Sequence, residues 1–464
     1  MANEINVREL VLETLTDIDR GRKTASEAMH GTLRNYQYMS KQERSFYTRL
    51  CEGTLEYRIQ LDYMIDRISK TPVKKCKPYI RNLLRMSLYQ IRYMDRVPSE
   101  AVCNEAVKLA KQKGFQPLSG FVNGVLRNLV RQQDSISFPN KEENLILYLS
   151  VTYSMPEWLI EQFLSWYSVE IVEDMLAAFL QESPLTVRVN LARSSKEAVK
   201  NALEAEGIQA EDGEYTDNTL HLSNINYMNR VKPFRQGLIT VQDESSVLQG
   251  YLVQPKPGDK ILDVCAAPGG KSLHAAERLQ LVETQGQGVV IARDISQSKT
   301  ERIRENVERM EYSNVQVEEW DALNLDESMI GQADIVIADV PCSGLGVIGR
   351  KQDIKYRLTR TQIDELIQLQ RNFLSVVSQY VKPGGQLLYS TCTVNPEENE
   401  KQAAWIREQL SLEPVGIRER LPQSLTDTLE HQPGTNLEQG YGTLLPGQQT
   451  CDGFFFALFR RKEE

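Results

Sequence analysis

The chain has 464 residues and a formal net charge of −9 at pH 7, and its length allows two or three domains with cores of their own. Seven cysteines include no C-x-x-C pair and four histidines form no ligand cluster with them, so the composition favours a reducing compartment and predicts no metal site. No unbroken apolar stretch reaches membrane-spanning length, and residues 1–5 lack the features of a signal peptide, so we expect a cytoplasmic protein without a membrane segment.

The first part of the chain, residues 1–140, is basic and helical. It contains 23 Lys plus Arg residues against 15 Asp plus Glu, whereas the remainder of the chain has a net charge of −17. Apolar residues in the segment 79–91 keep a 3.6-residue period, which predicts a helix with one face in a core. Lys77, Arg81 and Arg85 recur every four residues and form a basic stripe on another face. Two interpretations of this stripe remain open: a solvated polar face, or a surface that attracts RNA phosphates.

The middle part of the chain, residues 141–235, combines helical and strand patterns. In chain order these are helical runs near 156–160 and 171–176, an alternating strand at 185–190, a helix at 195–206 and a strand at 220–222. This order predicts a small α+β unit similar to RNA-recognition modules. The unit lacks the aromatic signature with which such modules stack bases, so we do not expect base stacking there.

A strand, a glycine turn and a helix follow in the last part of the chain, residues 236–464. The apolar run 260–264 leads into Cys265-Ala266-Ala267-Pro268-Gly269-Gly270-Lys271-Ser272, and a helical run comes next. Paired glycines let the backbone approach a ligand closely, and the first turn of a helix offers unpaired N–H groups. The pattern predicts a ligand-binding loop in a doubly wound, Rossmann-like α/β sheet.

Two kinds of ligand fit this loop. Gly270-Lys271-Ser272 ends a near-match to the phosphate loop of nucleotide triphosphatases, although Cys265 replaces its first glycine and Pro268 lacks an N–H donor. The alternative is an adenosine-containing cofactor. Asp294 lies 24 positions beyond Gly270, the usual place of a ribose-binding carboxylate, and Asp321 follows the next strand, where it could accept from an adenine amino group. S-adenosylmethionine fits better than NAD, because the loop is not G-x-G-x-x-G.

Two cysteines follow apolar runs that are typical of buried strands. They stand in Asp339-Val340-Pro341-Cys342-Ser343-Gly344 and in Tyr389-Ser390-Thr391-Cys392-Thr393. The carboxyl ends of parallel strands face the ligand crevice of a doubly wound sheet, so Cys342 and Cys392 are predicted to lie there as a catalytic pair. A small buried thiol in the core is the alternative for either cysteine taken alone.

These segments resemble those of the RNA cytosine-C5 methyltransferases, as do Asn395-Pro396-Glu397-Glu398-Asn399-Glu400 and Asp452-Gly453-Phe454-Phe455-Phe456-Ala457. The resemblance implies that Cys392 adds to carbon 6 of cytosine, that Cys342 assists product release and that Asp339 stabilises charge on the ring. It implies S-adenosylmethionine as the methyl donor, bound by Cys265, Ala266, Ala267, Pro268, Gly269, Gly270, Lys271, Asp294, Asp321 and Asp339.

Basic residues near the two cysteines suggest further roles. Lys271 is a candidate for the positive partner that a thiolate needs at neutral pH. Arg350, Lys351 and Lys355 come shortly after Cys342, and they could follow an RNA backbone beside it. For each of these side chains a solvated position is the alternative.

The first part of the chain carries a second resemblance. The stretch Val97-Pro98-Ser99-Glu100-Ala101-Val102-Cys103-Asn104-Glu105-Ala106-Val107 and the stretch Gly120-Phe121-Val122-Asn123-Gly124-Val125-Leu126-Arg127-Asn128 are similar to the NusB family of RNA-binding helical domains. Together the two halves resemble the bacterial 16S ribosomal RNA cytosine-C5 methyltransferases over nearly the whole chain. This implies a NusB-like domain at 1–140, a middle α+β domain at 141–235 and a Rossmann-like methyltransferase domain at 236–464.

The expected partner is 16S ribosomal RNA, and we expect the protein to be a monomer. Two other classes remain open, a nucleotide triphosphatase that uses the Gly270-Lys271-Ser272 loop and a non-enzymatic RNA-binding factor in which the NusB-like part is active. The segment 426–449 is rich in Gly, Gln, Thr and Pro, and it is predicted to form a loop before the last strand.

Overall fold

The computed structural model describes residues 6–282 and 288–463; residues 1–5, for which no signal peptide is predicted, lie outside this part. The chain forms two compact units. The first, called the helical unit, contains the described residues up to Gln181 together with Ile348–Arg357. The second, called the sheet unit, contains Glu182–Val347 and the described residues from Leu358 onward. None of the described helices combines the length and the apolar character that crossing a bilayer requires.

The α-helices are α1 (Val7–Asp19), α2 (Ala25–Asn35), α3 (Lys41–Glu56), α4 (Arg58–Ile68), α5 (Pro78–Tyr93), α6 (Ser99–Gln112), α7 (Ser119–Gln132), α8 (Leu145–Thr152), α9 (Glu157–Trp166), α10 (Val169–Phe179), α11 (Lys196–Glu204), α12 (Lys232–Arg235), α13 (Glu244–Leu252), α14 (Gly270–Val282), α15 (Gln297–Met310), α16 (Ile354–Arg357), α17 (Arg360–Val377), α18 (Glu400–Gln409) and α19 (Gln423–Leu429). The strands are β1 (Leu185–Val189), β2 (Gln209–Asp212), β3 (Thr219–Ser223), β4 (Ile239–Val241), β5 (Lys260–Asp263), β6 (Val289–Asp294), β7 (Val315–Glu319), β8 (Ala333–Asp339), β9 (Val381–Thr391), β10 (Leu412–Pro414), β11 (Tyr441–Leu444) and β12 (Phe454–Arg461).

The predicted helix at 79–91 is confirmed as α5, a central helix of the helical unit. Pro78 stands in the first turn of α5, where a missing N–H costs nothing, and the apolar face of the helix is buried apart from the half-buried Ile91. The basic stripe on α5, however, is not an open surface. Arg85 is only 3% exposed and donates two hydrogen bonds to Asp62, at 2.7 and 2.6 Å. Arg81 is paired with Asp19, and of the three residues in the stripe only Lys77 is exposed. Because Arg85 is buried and paired, both a solvated face and an RNA-attracting surface are wrong for it.

Close packing of α3 against α5 gives a first prediction. A Cβ atom at Gly53 would lie 2.0 Å from the ring of Tyr89, whose side chain is buried. Gly53→Ala should therefore destabilise the protein by about 1–3 kcal/mol, because a rigid ring must move in a packed core. The control is Gly31→Ala within α2, where a Cβ would meet nothing within 4 Å. Gly31→Ala should raise the free energy of unfolding, measured in urea, by about 0.5–1 kcal/mol. Equal changes in the free energy of unfolding for the two variants would contradict the close packing of α3 against α5.

The sheet unit contains two sheets. A four-stranded antiparallel sheet has the order β2-β3-β1-β4 and is packed against α11, which confirms the predicted small α+β unit. The larger sheet has the order β10-β12-β9-β8-β5-β6-β7, with β11 paired to β12. Strands β5 to β9 run parallel to one another, whereas β12 is antiparallel to β9. This confirms the Rossmann-like fold.

The apolar runs of the sequence are explained by burial on both faces of the larger sheet. Ile335 and Ile337 of β8 pack in one hydrophobic cluster, while Val336 and Ala338 pack in a second cluster. Alternate residues of a strand point to opposite faces, so helices on both sides require an unbroken apolar strand. Reversal of the strand order between β5 and β8 opens a crevice at the carboxyl ends of these strands.

The predicted loop at 426–449 is wrong in part. Helix α19 covers the start of this segment and strand β11 covers residues 441–444. Leu425 and Leu429 are four residues apart and fully buried, and Leu444 is buried on β11. These leucines stabilise the two elements through tertiary packing, which outweighs the turn-rich composition between them.

Candidate active site

The glycine loop lies at the carboxyl end of β5, and it leads directly into α14 at Gly270. Gly269 has φ of +109°, a backbone conformation that only glycine adopts without strain. The loop is fastened to the next strand, since Ala266 N donates to the Arg293 carbonyl at 2.9 Å. The predicted residues from Cys265 to Lys271 therefore form one continuous segment that covers the strand end and leads into the first turn of α14.

The carboxylates of Asp294 and Asp321 follow neighbouring strands, as predicted. Asp294 is 4% exposed and accepts hydrogen bonds from Ala267 N at 2.9 Å and from Ile295 N at 2.8 Å, so it links β6 to the glycine loop. Asp321 lies beyond β7 and is half-buried, and its Oδ1 accepts from Leu323 N at 3.0 Å. Both side chains thus stand at strand ends that face the crevice.

A further buried carboxylate, Asp263, supports the loop from below. Its Oδ2 accepts from Ser272 Oγ at 2.6 Å, which fixes the first turn of α14 against β5. Burial raises its pKa to about 6. Burial also raises the pKa of the nearby Cys265 thiol, which disfavours the reactive thiolate form at this position.

The two cysteines predicted as a pair lie together in the structure. Cys342 follows β8 and Cys392 follows the neighbouring strand β9, and their sulfur atoms are 3.4 Å apart. Neither belongs to a disulfide bond, and both are partly exposed. The hydrogen bond with Cys392, followed by burial, raises the pKa of Cys342 well above its ordinary value. The pair can therefore hold a proton between two sulfur atoms at the crevice.

An ion pair lies beside the sulfur atoms. Lys271 Nζ is 2.6 Å from Asp339 Oδ2, so the glycine loop and the end of β8 are joined at this point. Burial lowers the pKa of the Lys271 ammonium, but the Asp339 carboxylate beside it outweighs this effect and the pKa is raised overall. A thiolate at Cys392 would act on the pKa of Lys271 in the same direction. Lys271 therefore carries a positive charge within electrostatic reach of both Asp339 and Cys392.

Two residues for which the sequence predicts no role, Ser390 and Glu398, are also part of this arrangement. Ser390 Oγ lies 2.9 Å from Asp339 Oδ1, and it also lies 3.2 Å from Gln249 Oε1. The buried Glu398 contacts the residue after Cys342. The alternation of β9 provides a signal for Ser390, because it stands two positions before Cys392 and shares its face. The position of Glu398 depends on long-range packing, for which the sequence has no comparable signal.

The basic residues predicted to follow RNA beside Cys342 do not form one surface. Lys355 is 2% exposed and belongs to the helical unit, where its Nζ donates to the Glu56 carbonyl at 2.9 Å. Burial lowers its pKa, and burial raises the pKa of the Glu56 carboxyl group. The prediction is wrong for Lys355, whereas Arg350 and Lys351 are exposed.

The parallel sheet, the glycine loop and the strand-end carboxylates define a Rossmann-like class that binds an adenosine-containing cofactor. A search of the described residues finds no group of His, Cys, Asp and Glu that could hold a metal ion. Three family models match the chain: "16S rRNA methyltransferase RsmB/F" over residues 250–460, the NusB family over 5–131, and the "Methyltr_RsmF/B-like, ferredoxin-like domain" over 155–227.

Curated relatives match over almost the whole chain. The probable ribosomal RNA small subunit methyltransferase B of Bacillus subtilis is 32% identical, over 98% of this chain and 99% of the relative. The ribosomal RNA small subunit methyltransferase B of Proteus mirabilis is 30% identical over the full length of both chains. The chain belongs to this family of small-subunit ribosomal RNA methyltransferases.

Solved structures confirm the fold. The crystal structure of PH0851 matches with a TM-score of 0.80 at 24% identity, over 99% of both chains. The structure of NSun6 from Pyrococcus horikoshii with SFG matches 67% of this chain and 99% of its own, with a TM-score of 0.57 at 20% identity.

The predicted resemblance is confirmed for the 16S rRNA methyltransferases RsmB/F and for the NusB family, and the cofactor is S-adenosylmethionine. The residues present fit such a ligand, because the glycine turn, Asp294 and Asp321 stand at or just beyond the carboxyl ends of the neighbouring strands β5, β6 and β7. The nucleotide triphosphatase alternative is not supported, since the lysine of its loop is engaged by Asp339. The protein is therefore a methyltransferase of small-subunit ribosomal RNA.

Proposed function

We propose that the protein methylates carbon 5 of a cytosine in 16S ribosomal RNA through a covalent bond between Cys392 and carbon 6. The observation that carries this proposal is the pair of sulfur atoms, 3.4 Å apart at the ends of β8 and β9. A methyltransferase that acts on an oxygen or an exocyclic nitrogen has no need of two thiols at its cofactor crevice. Carbon 5 of cytosine is a poor nucleophile, and it gains reactivity when a thiolate adds to carbon 6.

The first step is the addition of Cys392 Sγ to carbon 6, which makes carbon 5 an enamine carbon. Lys271 supports this step because its ammonium group favours the thiolate of Cys392. Asp339, held by Lys271 and Ser390, is proposed to bind the polar edge of the pyrimidine, where charge develops. The electrophilic methyl group for carbon 5 would come from S-adenosylmethionine, once it is bound.

Release of the product requires a base and a leaving group. A base takes the proton from carbon 5, the C–H electron pair forms the bond between carbons 5 and 6, and the C–S electron pair returns to Cys392. We propose Cys342 as the assisting residue. The largest cause of its raised pKa is the hydrogen bond with Cys392, and this cause disappears once Cys392 is a neutral thioether. Cys342 then loses its own proton to solvent more readily, and the resulting thiolate can accept the proton from carbon 5.

The cofactor-binding roles of individual residues form part of the proposal. We propose that the turn Cys265-Ala266-Ala267-Pro268-Gly269-Gly270-Lys271 surrounds the methionine part of the cofactor. Asp294 binds the ribose hydroxyl groups, and Asp321 accepts from the adenine amino group. The position of both carboxylates at the ends of β6 and β7 supports these roles.

The substrate and its context follow from the family. The relatives carry the name of small-subunit ribosomal RNA methyltransferases, which supports 16S ribosomal RNA as the partner. We propose that the reaction takes place in the cytoplasm. We propose that the NusB-like domain at 1–140 and the middle domain at 141–235 bind RNA, that the methyltransferase domain occupies 236–464, and that the protein acts as a monomer.

Transfer of labelled methyl groups from S-adenosylmethionine to unmodified small-subunit ribosomal RNA tests the proposal. Digestion of the product should place the label in 5-methylcytosine. Label in another nucleoside would contradict the proposed carbon, and the absence of label on both naked RNA and assembling subunits would favour a binding factor.

The role of Lys271 gives a separate prediction. Lys271→Met should lower the rate of methyl transfer by about 10²-fold or more, because Asp339 and Cys392 lose their cationic partner. The matched control is Lys382→Met, which breaks the ion pair between Lys382 of β9 and Asp334 of β8. This pair lies at the ends of β8 and β9 that are opposite to the two cysteines. Single-turnover rates at saturating cofactor should separate the two variants. Comparable rates for both variants would show that the ammonium group at the crevice is dispensable.

A further inference from the structure

The carboxyl group of Glu398 is fully buried between the two cysteine loops. It lies in the segment between β9 and α18, six positions after Cys392. Four donors contact it: Ser343 N, Gln370 Nε2 and Asn395 Nδ2, each at 2.9 Å, and Ser343 Oγ. A buried carboxyl group with so many donors is a fixed point of the structure, because each donor would be left unsatisfied without it.

The donors of Glu398 lie on three separate elements. Ser343 directly follows Cys342, Asn395 belongs to the segment after Cys392, and Gln370 stands on α17. Gln370 Nε2 also donates to the carbonyl of Pro341, the residue before Cys342, at 3.0 Å. The backbone is therefore held immediately before and immediately after Cys342.

Direct bonds between the two loops reinforce this arrangement. Ser343 Oγ lies 2.7 Å from Thr393 Oγ1, and Gly346 N donates to the carbonyl of Cys392 at 3.1 Å. Among the described hydrogen bonds of Ser343, Glu398 provides the one carboxyl group, and each of its two oxygens accepts a hydrogen bond from Ser343. The distance between the two sulfur atoms thus depends on a short path from Cys342 through Ser343 to Glu398.

We propose that Glu398 is a positioning residue that holds Cys342 against Cys392 and thereby sets the rate of product release. This inference rests on the proposed function, since it assigns a part of the machinery for the second half of that reaction. Glu398 does not contact a sulfur atom in the described hydrogen bonds. It acts through Ser343 and Gln370, so its loss should affect the step that needs Cys342 more than the attack by Cys392.

Glu398→Gln tests the inference with little change in size. Each carboxylate oxygen of Glu398 now accepts two hydrogen bonds, and in the amide an NH2 group replaces one of these oxygens. The donors on that side lose their acceptor, so the hydrogen bonds there must break. Product release should slow about tenfold or more, and a covalent protein–RNA adduct should accumulate on denaturing gels. The single-turnover rate of methyl transfer should change much less.

The adjacent residue Glu397 provides a matched control. It is half-buried, and its carboxylate pairs with Lys401 on the first turn of α18. Glu397→Gln should keep the wild-type rate of release and form no additional adduct. If Glu398→Gln folds poorly, Ser343→Ala replaces it, because that change removes one hydroxyl group and keeps the N–H donor; the same adduct is expected in smaller amount.

The double variant Cys342→Ala/Glu398→Gln decides between positioning and general stability. If Glu398 acts through Cys342, the double variant should release product as slowly as Cys342→Ala alone. A further loss of the same size as in the wild-type background would overturn the proposal, as would a loss of the first methyl transfer without any adduct. An adduct in Cys342→Ala with none in Glu398→Gln or Ser343→Ala overturns the positioning role alone, whereas no adduct in Cys342→Ala contradicts the proposed role of Cys342 in product release.

Discussion

Cys392→Ala should lower methyl transfer by at least about 10³-fold, because a nucleophile that forms a covalent intermediate has no substitute in the site. Carbon 5 then cannot gain enamine character, even with the methyl donor in place. Binding of S-adenosylmethionine should be preserved, since the glycine loop and Asp294 are joined to each other and not to Cys392. Single-turnover methyl transfer and calorimetric titration with S-adenosylmethionine measure the two quantities separately.

The control for this change is Cys103→Ala, which removes a buried thiol from α6 in the helical unit. Its methyl transfer should match the wild type. A Cys392→Ala protein that binds the cofactor and still methylates RNA at a comparable rate would contradict the nucleophile assignment.

Cys342→Ala should separate the two halves of the reaction. The first methyl transfer should continue, because Cys392 and Lys271 remain in place, whereas turnover should fall by about 10²–10⁴-fold, the range that a general acid or base contributes. The protein should accumulate as a covalent adduct with methylated RNA, visible as a band that resists denaturant. Peptide mapping should locate the RNA on Cys392.

Two results would contradict the role proposed for Cys342. An adduct mapped to position 342 in Cys392→Ala would reverse the two roles. Rapid turnover of Cys342→Ala without any adduct would show that another base completes the release.

The features that were predictable from the sequence are those that local pattern determines. Residues 335–338 of β8 are all apolar because helices cover both faces of the sheet, so the end of the strand, and with it Asp339 and Cys342, could be located. The same reasoning placed Cys392 at the end of β9. Strand order then brings the two sulfur atoms together, since β8 and β9 are neighbours.

The features that were missed depend on residues far apart in the chain. The spacing of Arg81 and Arg85 predicts a shared face, but it does not show that Asp19 and Asp62 lie opposite that face. Lys355 stands thirteen positions after Cys342, yet the chain enters the helical unit at residue 348 and leaves it after 357. Closeness in sequence therefore says little about closeness to the site at this point.

The most direct test of the account uses small-subunit ribosomal RNA that carries tritium on carbon 5 of cytosine. Methylation at carbon 5 must expel the hydrogen atom at that position, so tritium should appear in water in step with methyl transfer by the wild-type protein. In Cys342→Ala its release should lag far behind the first methyl transfer. Methyl transfer by the wild type with the tritium retained in RNA would contradict both the proposed carbon and the covalent route.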